Sequence, residues 1–234
     1  MRGLLELLYP TNATCMGCGS LFGTDGGWLC SDCAAALIPM RESGRAQCPR
    51  CGQFLLADGA CGCCAKWEGD ALSLVRAAYP YARPADALVR RLKYGGVALL
   101  SDFMAEKMAE TILMEHMPLP DAIVPVAMPK KRLRKRGYNQ SHLLAAGIGK
   151  ILRIPVLPAL ERRRGAKQQA GLGAQARREN MRDAFRAAAD VTGMRLMLAD
   201  DVFTTGATAL SCAEALRGAG AAEVALIAFA SAGI

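Results

Sequence analysis

Nine of the ten cysteines fall between Cys15 and Cys64, grouped as Cys15-Met-Gly-Cys18, Cys30-Ser-Asp-Cys33, Cys48-Pro-Arg-Cys51 and Cys61-Gly-Cys-Cys64. A C-x2-C knuckle aims two thiolates at one ion, and two knuckles complete a tetrahedron. The spacing predicts structural zinc held by Cys15, Cys18, Cys30, Cys33, Cys48, Cys51, Cys61 and Cys64. Sequential pairing is simplest. An interleaved arrangement, and one or two ions, are left open by spacing alone. Four thiolates close the coordination sphere, so these sites are structural rather than catalytic. A region this small has too little core to fold alone, and the metal supplies its stability. Cys63 is surplus, and Cys212 reads as a small buried apolar residue.

Disulfides are the competing use of such cysteines. The opening Met-Arg-Gly-Leu-Leu-Glu-Leu-Leu-Tyr-Pro is too short for a signal-peptide core and lacks a small-residue cleavage site. That favours reduced thiols and a cytoplasmic setting. Leu4, Leu5, Leu7 and Leu8 read instead as one face of a short amphipathic helix. No apolar run reaches spanning length.

Composition changes near Trp67. Residues 1–66 form a cysteine-rich module, and residues 67–234 alternate strand-like and helix-like segments. Hydrophobic residues make up 52% of the chain, enough for a real core. Strands are predicted over residues 72–79, 121–126, 195–199 and 223–230. Helices are predicted over residues 85–92, 101–117, 140–152 and 207–218. Strands separated by helices imply an open, mostly parallel α/β sheet with flanking helices.

The stretch Leu196-Met-Leu-Ala-Asp-Asp-Val-Phe-Thr-Thr-Gly-Ala-Thr208 carries the chemistry. Its apolar start is a central strand, and open α/β sheets bind ligands at the carboxyl ends of their strands. Asp200 and Asp201 are expected to emerge at that tip. Thr204, Thr205, Gly206, Ala207 and Thr208 turn into a helix whose free amides and positive dipole end suit a phosphate. Carboxylates repel phosphate, but they accept hydrogen bonds from a vicinal diol or help place Mg²⁺. A diol a few ångströms from a monophosphate describes a ribose 5-phosphate. The bland alternative is an acidic cap on an ordinary helix.

This string resembles the phosphoribosyl-pyrophosphate (PRPP) signature of type I phosphoribosyltransferases, and further stretches resemble one branch, the ComF family of competence-associated proteins. Lys93-Tyr-Gly95 is similar to an early K-x-G, and Val124-Pro-Val-Ala-Met-Pro through Arg136-Gly-Tyr-Asn-Gln140 to V-P-V-P…R…R-G-F-N-Q. Gln169, Arg177, Asn180 and Phe185 fit its Q…R…N…F series, and the cysteine knuckles also match. Ala127, Ala166 and Ala199 depart from the pattern. The resemblance implies an N-terminal zinc-ribbon module on a phosphoribosyltransferase-like domain. It also implies PRPP with Mg²⁺ as ligand, and a role in handling incoming single-stranded DNA beside other uptake proteins at the inner membrane face.

In that frame Asp200, Asp201 and Arg136 are the candidate catalytic residues. Lys93, Arg132 and Arg136 face the pyrophosphate, and Asn139 and Gln140 add neutral hydrogen bonds. Lys130 to Arg136 holds six basic residues of seven, within a net charge of +8. Guanidinium forks suit phosphate oxygens. As a loop, this run reads as a mobile hood over the pyrophosphate. For nucleic acid, Lys131, Arg132, Arg134 and Arg136 would track a phosphate backbone while Tyr138 stacks on a base, with Arg162 to Arg164, Lys167, Arg177 and Arg178 extending the surface. Three readings stand: a phosphoribosyltransferase with unidentified acceptor, a non-catalytic PRPP- or single-strand-binding module, and an interaction protein with a vestigial pocket.

Overall fold

The computed structural model describes residues 14–21, 27–67, 69–163 and 184–232. The proposed N-terminal helix, Ala166, Gln169, Arg177 and Asn180 lie outside them, as do Arg164, Lys167 and Arg178.

Four parallel strands form the main sheet: β1 (Leu74–Pro80), β2 (Ala122–Pro125), β5 (Arg195–Phe203) and β6 (Glu223–Ser231), in the order β1-β6-β5-β2. Helices α2 (Ala85–Tyr94), α3 (Leu100–Met114), α4 (Lys130–Arg136), α5 (Gln140–Leu152) and α6 (Ala207–Gly218) connect them, and α1 (Ser31–Ala36) lies in the cysteine region. A small antiparallel pair, β3 (Leu160–Arg162) and β4 (Phe185–Ala187), stands apart. The open parallel sheet with flanking helices and an N-terminal cysteine-rich module is the class expected from the sequence. Among the described residues, no helix is long and apolar enough to cross a membrane.

Both faces of the central strands are buried, which is why they read as continuous apolar runs. Along β5, Leu196 and Leu198 enter one core while Met197 and Ala199 enter the other. The second core is covered by α2, α3 and α5 through residues such as Leu88, Met104, Met108 and Leu144. The first is covered by α6 and, over β1, by the cysteine module. Met40, Cys48 and Cys51 are buried there with Leu72, Val75 and Ala77. The module thus takes the place of a helix on that face.

One expected boundary moves. β5 does not end at Ala199 but runs through the acidic doublet to Phe203, with Asp200 opposite Ala228 and Val202 opposite Ala230. β6 continues alongside and supplies ladder partners, whereas β2 stops at Pro125 opposite Ala199. The sheet therefore opens on the β2 side just where the carboxylates begin. The basic run departs from its expected loop as well: Lys130–Arg136 is helical, closed by Gly137 at φ +85°.

Candidate functional site

The knuckles pair sequentially. The thiols of Cys15, Cys18, Cys30 and Cys33 lie within 4.8 Å of one another, as do those of Cys48, Cys51, Cys61 and Cys64. Sulfur separations of 3.8 Å (Cys18–Cys30), 3.5 Å (Cys48–Cys64) and 3.4 Å (Cys51–Cys61) approach the edge of about 3.8 Å that a zinc–thiolate tetrahedron requires. Burial raises the Cys15 thiol, but amide donors from Cys18, Cys30 and Gly17 outweigh it and bring it to about 6. Burial and the neighbouring thiols raise Cys33 in the same cluster, so it is the four-sulfur geometry that suits a metal. The residues present fit zinc at both sites.

At the carboxyl end of β5 lies a cavity of about 820 Å³, within the usual range for ligand sites. Asp200 and Asp201 form its floor and Thr204 and Thr208 one wall. Lys93 and Tyr94 enter from the end of α2, and Arg132, Arg134 and Arg136 from α4. Of the residues singled out in the sequence, Lys93, Arg132, Arg134, Arg136, Asp200, Asp201, Thr204 and Thr208 share this cavity. Lys131 and Tyr138 do not line it. Thr205, Gly206 and Ala207 shape the turn beside it.

The two carboxylates are held differently. Asp200 Oδ1 accepts the Ser141 hydroxyl at 2.8 Å and the Asp201 amide at 2.9 Å. Burial, and next the neighbouring Asp201, push the Asp200 carboxyl up to about 7. Asp201 is 3% exposed, and its Oδ1 lies 2.9 Å from Lys93 Nζ. Its Oδ2 is buried and accepts no hydrogen bond. Lys93, expected against a pyrophosphate, lines the cavity and in this structure pairs with Asp201.

Several neighbours of the doublet carry the fold, and of these Arg136, Asn139 and Gln140 also face the cavity. Arg136 Nη1 donates to Gln140 Oε1, and its guanidinium sits 5.3 Å over the Tyr94 ring. Asn139 caps α5 by accepting from the Ser141 amide at 3.1 Å, while its Nδ2 donates to Val126 O at 3.0 Å. The Tyr138 hydroxyl donates to Leu92 O, and its ring packs against the second core. The exposed aromatic at the mouth is Tyr94, at 79% exposure. Arg162 also faces the cavity, 5.2 Å over Phe185, with its pKa lowered by burial and then by Arg132.

The cysteine module reaches the turn from behind. Gln53 Nε2 donates to Thr204 O at 3.2 Å, and Trp67 Nε1 to Thr205 O at 3.3 Å. Trp67 packs edge-on against Phe203 with centroids 6.1 Å apart. Gly206 has φ +82°, and a Cβ there would lie 2.7 Å from the indole. Ser141, Gln53 and Trp67 carry no motif of their own that would mark them as partners of the doublet or of this turn.

Residues 4–65 match the double zinc ribbon domain. The chain is 33% identical to the DNA utilization protein YhgH of Salmonella typhi, over 84% of this chain and 87% of that protein. It is 30% identical to competence protein F of Haemophilus influenzae, over 91% and 94%. Among solved structures it is similar to the B. subtilis glutamine PRPP amidotransferase complexed with ADP and GMP. That likeness has 24% identity and a TM-score of 0.39, and covers 55% of this chain and 26% of that one. It carries no weight for the site.

Proposed function

The chain belongs to the ComF family of competence and DNA-utilization proteins, and on that premise we propose that its cavity binds PRPP in support of DNA uptake in the cytoplasm. One observation carries the reading: Asp200 and Asp201 line a cavity together with Arg132, Arg134 and Arg136, and the buried Asp201 Oδ2 has no hydrogen-bond donor. A buried acceptor without a donor costs free energy, and rotation of the carboxylate toward the cavity would let a ligand supply one. A sugar hydroxyl does so and a phosphate cannot.

The ribose diol lies on Asp200 and Asp201 in this reading, the 5-phosphate on the Thr204–Thr208 turn, and the pyrophosphate under Arg132, Arg134 and Arg136. Lys93 holds the doublet near one net negative charge, which lessens its repulsion of the ligand phosphates. Mg²⁺ bound with the pyrophosphate would neutralise part of its charge. In transfer, the anomeric carbon–oxygen bond breaks toward pyrophosphate while an acceptor nitrogen attacks the opposite face. The arginines stabilise the leaving charge, and the doublet faces the developing positive ribosyl centre.

Calorimetry with Mg²⁺-PRPP tests the binding claim. Micromolar binding by the wild type, lost in Asp201→Ala, is the expected result. No heat with wild-type protein sinks it. Pyrophosphate release across a panel of bases, nucleotides and single-stranded DNA then separates turnover from binding alone.

The exposed cations of α4 and the exposed Tyr94 ring favour a second reading, a single-strand-binding surface at the cavity mouth. Affinity for an oligonucleotide would then fall steeply with salt. A flat salt dependence counts against it.

A further inference from the structure

We infer, on the premise that the β5–α6 turn takes a phosphate, that the second cysteine site positions that turn. Gln53 and Trp67 hold its carbonyls on the module side and so aim its amides at the cavity, which ties anion affinity to metal at Cys48, Cys51, Cys61 and Cys64.

A trans peptide unit points its carbonyl oxygen and the following N–H in opposite directions. With Thr204 O drawn to Gln53, the Thr205 amide points away from the module. With Thr205 O drawn to Trp67, the Gly206 amide does the same. Successive amides turned to one side make an anion-binding concavity. Thr204 and Thr208 line the cavity, whereas Gln53 and Trp67 do not. The turn is thus clamped from behind and open in front.

Both donors are anchored in the metal-binding turns. Gln53 O accepts from the Cys48 amide at 2.8 Å, and the Trp67 amide donates to Cys64 O at 3.1 Å. Gln53 is only 4% exposed, and a buried side-chain amide is seldom spent without a partner that matters. Cys63 Sγ lies 3.9 Å from Thr204 O, a weaker contact with the same carbonyl. The Trp67 ring fills the space a side chain at position 206 would need, so glycine there serves the clamp as well as the turn. Among the described residues no hydrogen bond joins the first cysteine site to the turn; that site lies beside α2 instead, where Gly19 approaches Arg91. A knuckle pair without metal has little core to keep its shape. Metal loss at the second site would therefore free both donors.

The test is the double variant Gln53→Met, Trp67→Phe, which removes both donors while keeping an apolar side chain at each position and all eight ligand thiols. Its readouts are metal content, amide hydrogen exchange over residues 203–208, and affinity for ribose 5-phosphate. Metal content stays at the wild-type value, exchange speeds up about tenfold, and ribose 5-phosphate binds about tenfold more weakly, the scale of two modest hydrogen bonds. Chelating the wild type's metal moves exchange and affinity in the same direction. Exchange or affinity within twofold of wild type in the double variant overturns the inference, as does a turn whose exchange is unchanged after chelation. A wild type that ignores ribose 5-phosphate sinks the premise instead, and the exchange readout still decides whether the module positions the turn.

Discussion

Lys93 Nζ lies 2.9 Å from Asp201 Oδ1, joining the end of α2 to the acidic stretch of β5. The pair is largely removed from water, with the two side chains 23% and 4% exposed. A charge left alone in such a place is costly, and breaking a fully buried pair costs about 3–5 kcal/mol.

Lys93→Met should therefore destabilise the protein by roughly 1–3 kcal/mol, less than for a fully buried pair because the lysine keeps some solvent. The double variant Lys93→Met, Asp201→Asn should recover part of that loss. Urea denaturation of the four proteins measures the coupling, and simple additivity would dismiss it.

Asp200 makes stability depend on pH. Its carboxyl is raised from the ordinary 3.8 to about 7, first by burial and then by Asp201. The folded state thus binds this proton more tightly than the unfolded chain. Its contribution is fully present below about pH 4 and is lost as pH rises through 7. Asp200→Asn still accepts from Ser141 but cannot ionise. Its melting temperature should exceed that of wild type by about 2–4 °C at pH 8, with no gain at pH 4. Parallel melting curves across that range would rule out the assignment.

Gly206→Ala should cost roughly 1–3 kcal/mol, because φ +82° disfavours a side chain and Trp67 already fills the space. Ligand affinity should fall with it, since the turn must move off the indole. A crystal structure of the variant with Trp67 and the turn unmoved would show the fit to be looser than described.

The exposed cations of α4 should separate by position. Arg132→Ala and Arg134→Ala, which line the cavity, should leave stability within about 0.5 kcal/mol while weakening pyrophosphate binding most at low salt. Lys131→Ala, off the cavity, should change neither. Titration of pyrophosphate at two ionic strengths checks both. Equal losses at all three positions would mean a diffuse field rather than a site.

Much of the fold was legible because its signals are local. Helix α5 falls on the predicted Gln140–Leu152, and α6 begins at Ala207 after the threonine–glycine turn. The four cysteine pairs announced their chemistry by spacing. The end of β5 was not legible, because the apolar run stops at Ala199 while the strand continues to Phe203 against β6. Aspartate is a poor strand residue on composition alone. Nor was the tie from the Tyr138 hydroxyl to Leu92 O legible, because it joins residues 46 positions apart.

By itself the sequence determined which residues bring chemistry: eight paired thiols, an acidic doublet before a threonine-rich helix start, and a basic segment. Tertiary structure alone decided who their partners are. Lys93 went to Asp201, and Gln53 reached Thr204 across 151 positions of chain. Spacing and periodicity record what a residue does to its near neighbours. Which distant backbone group a buried amide or ammonium must satisfy depends on how the sheet orders its strands, and no short stretch of sequence carries that.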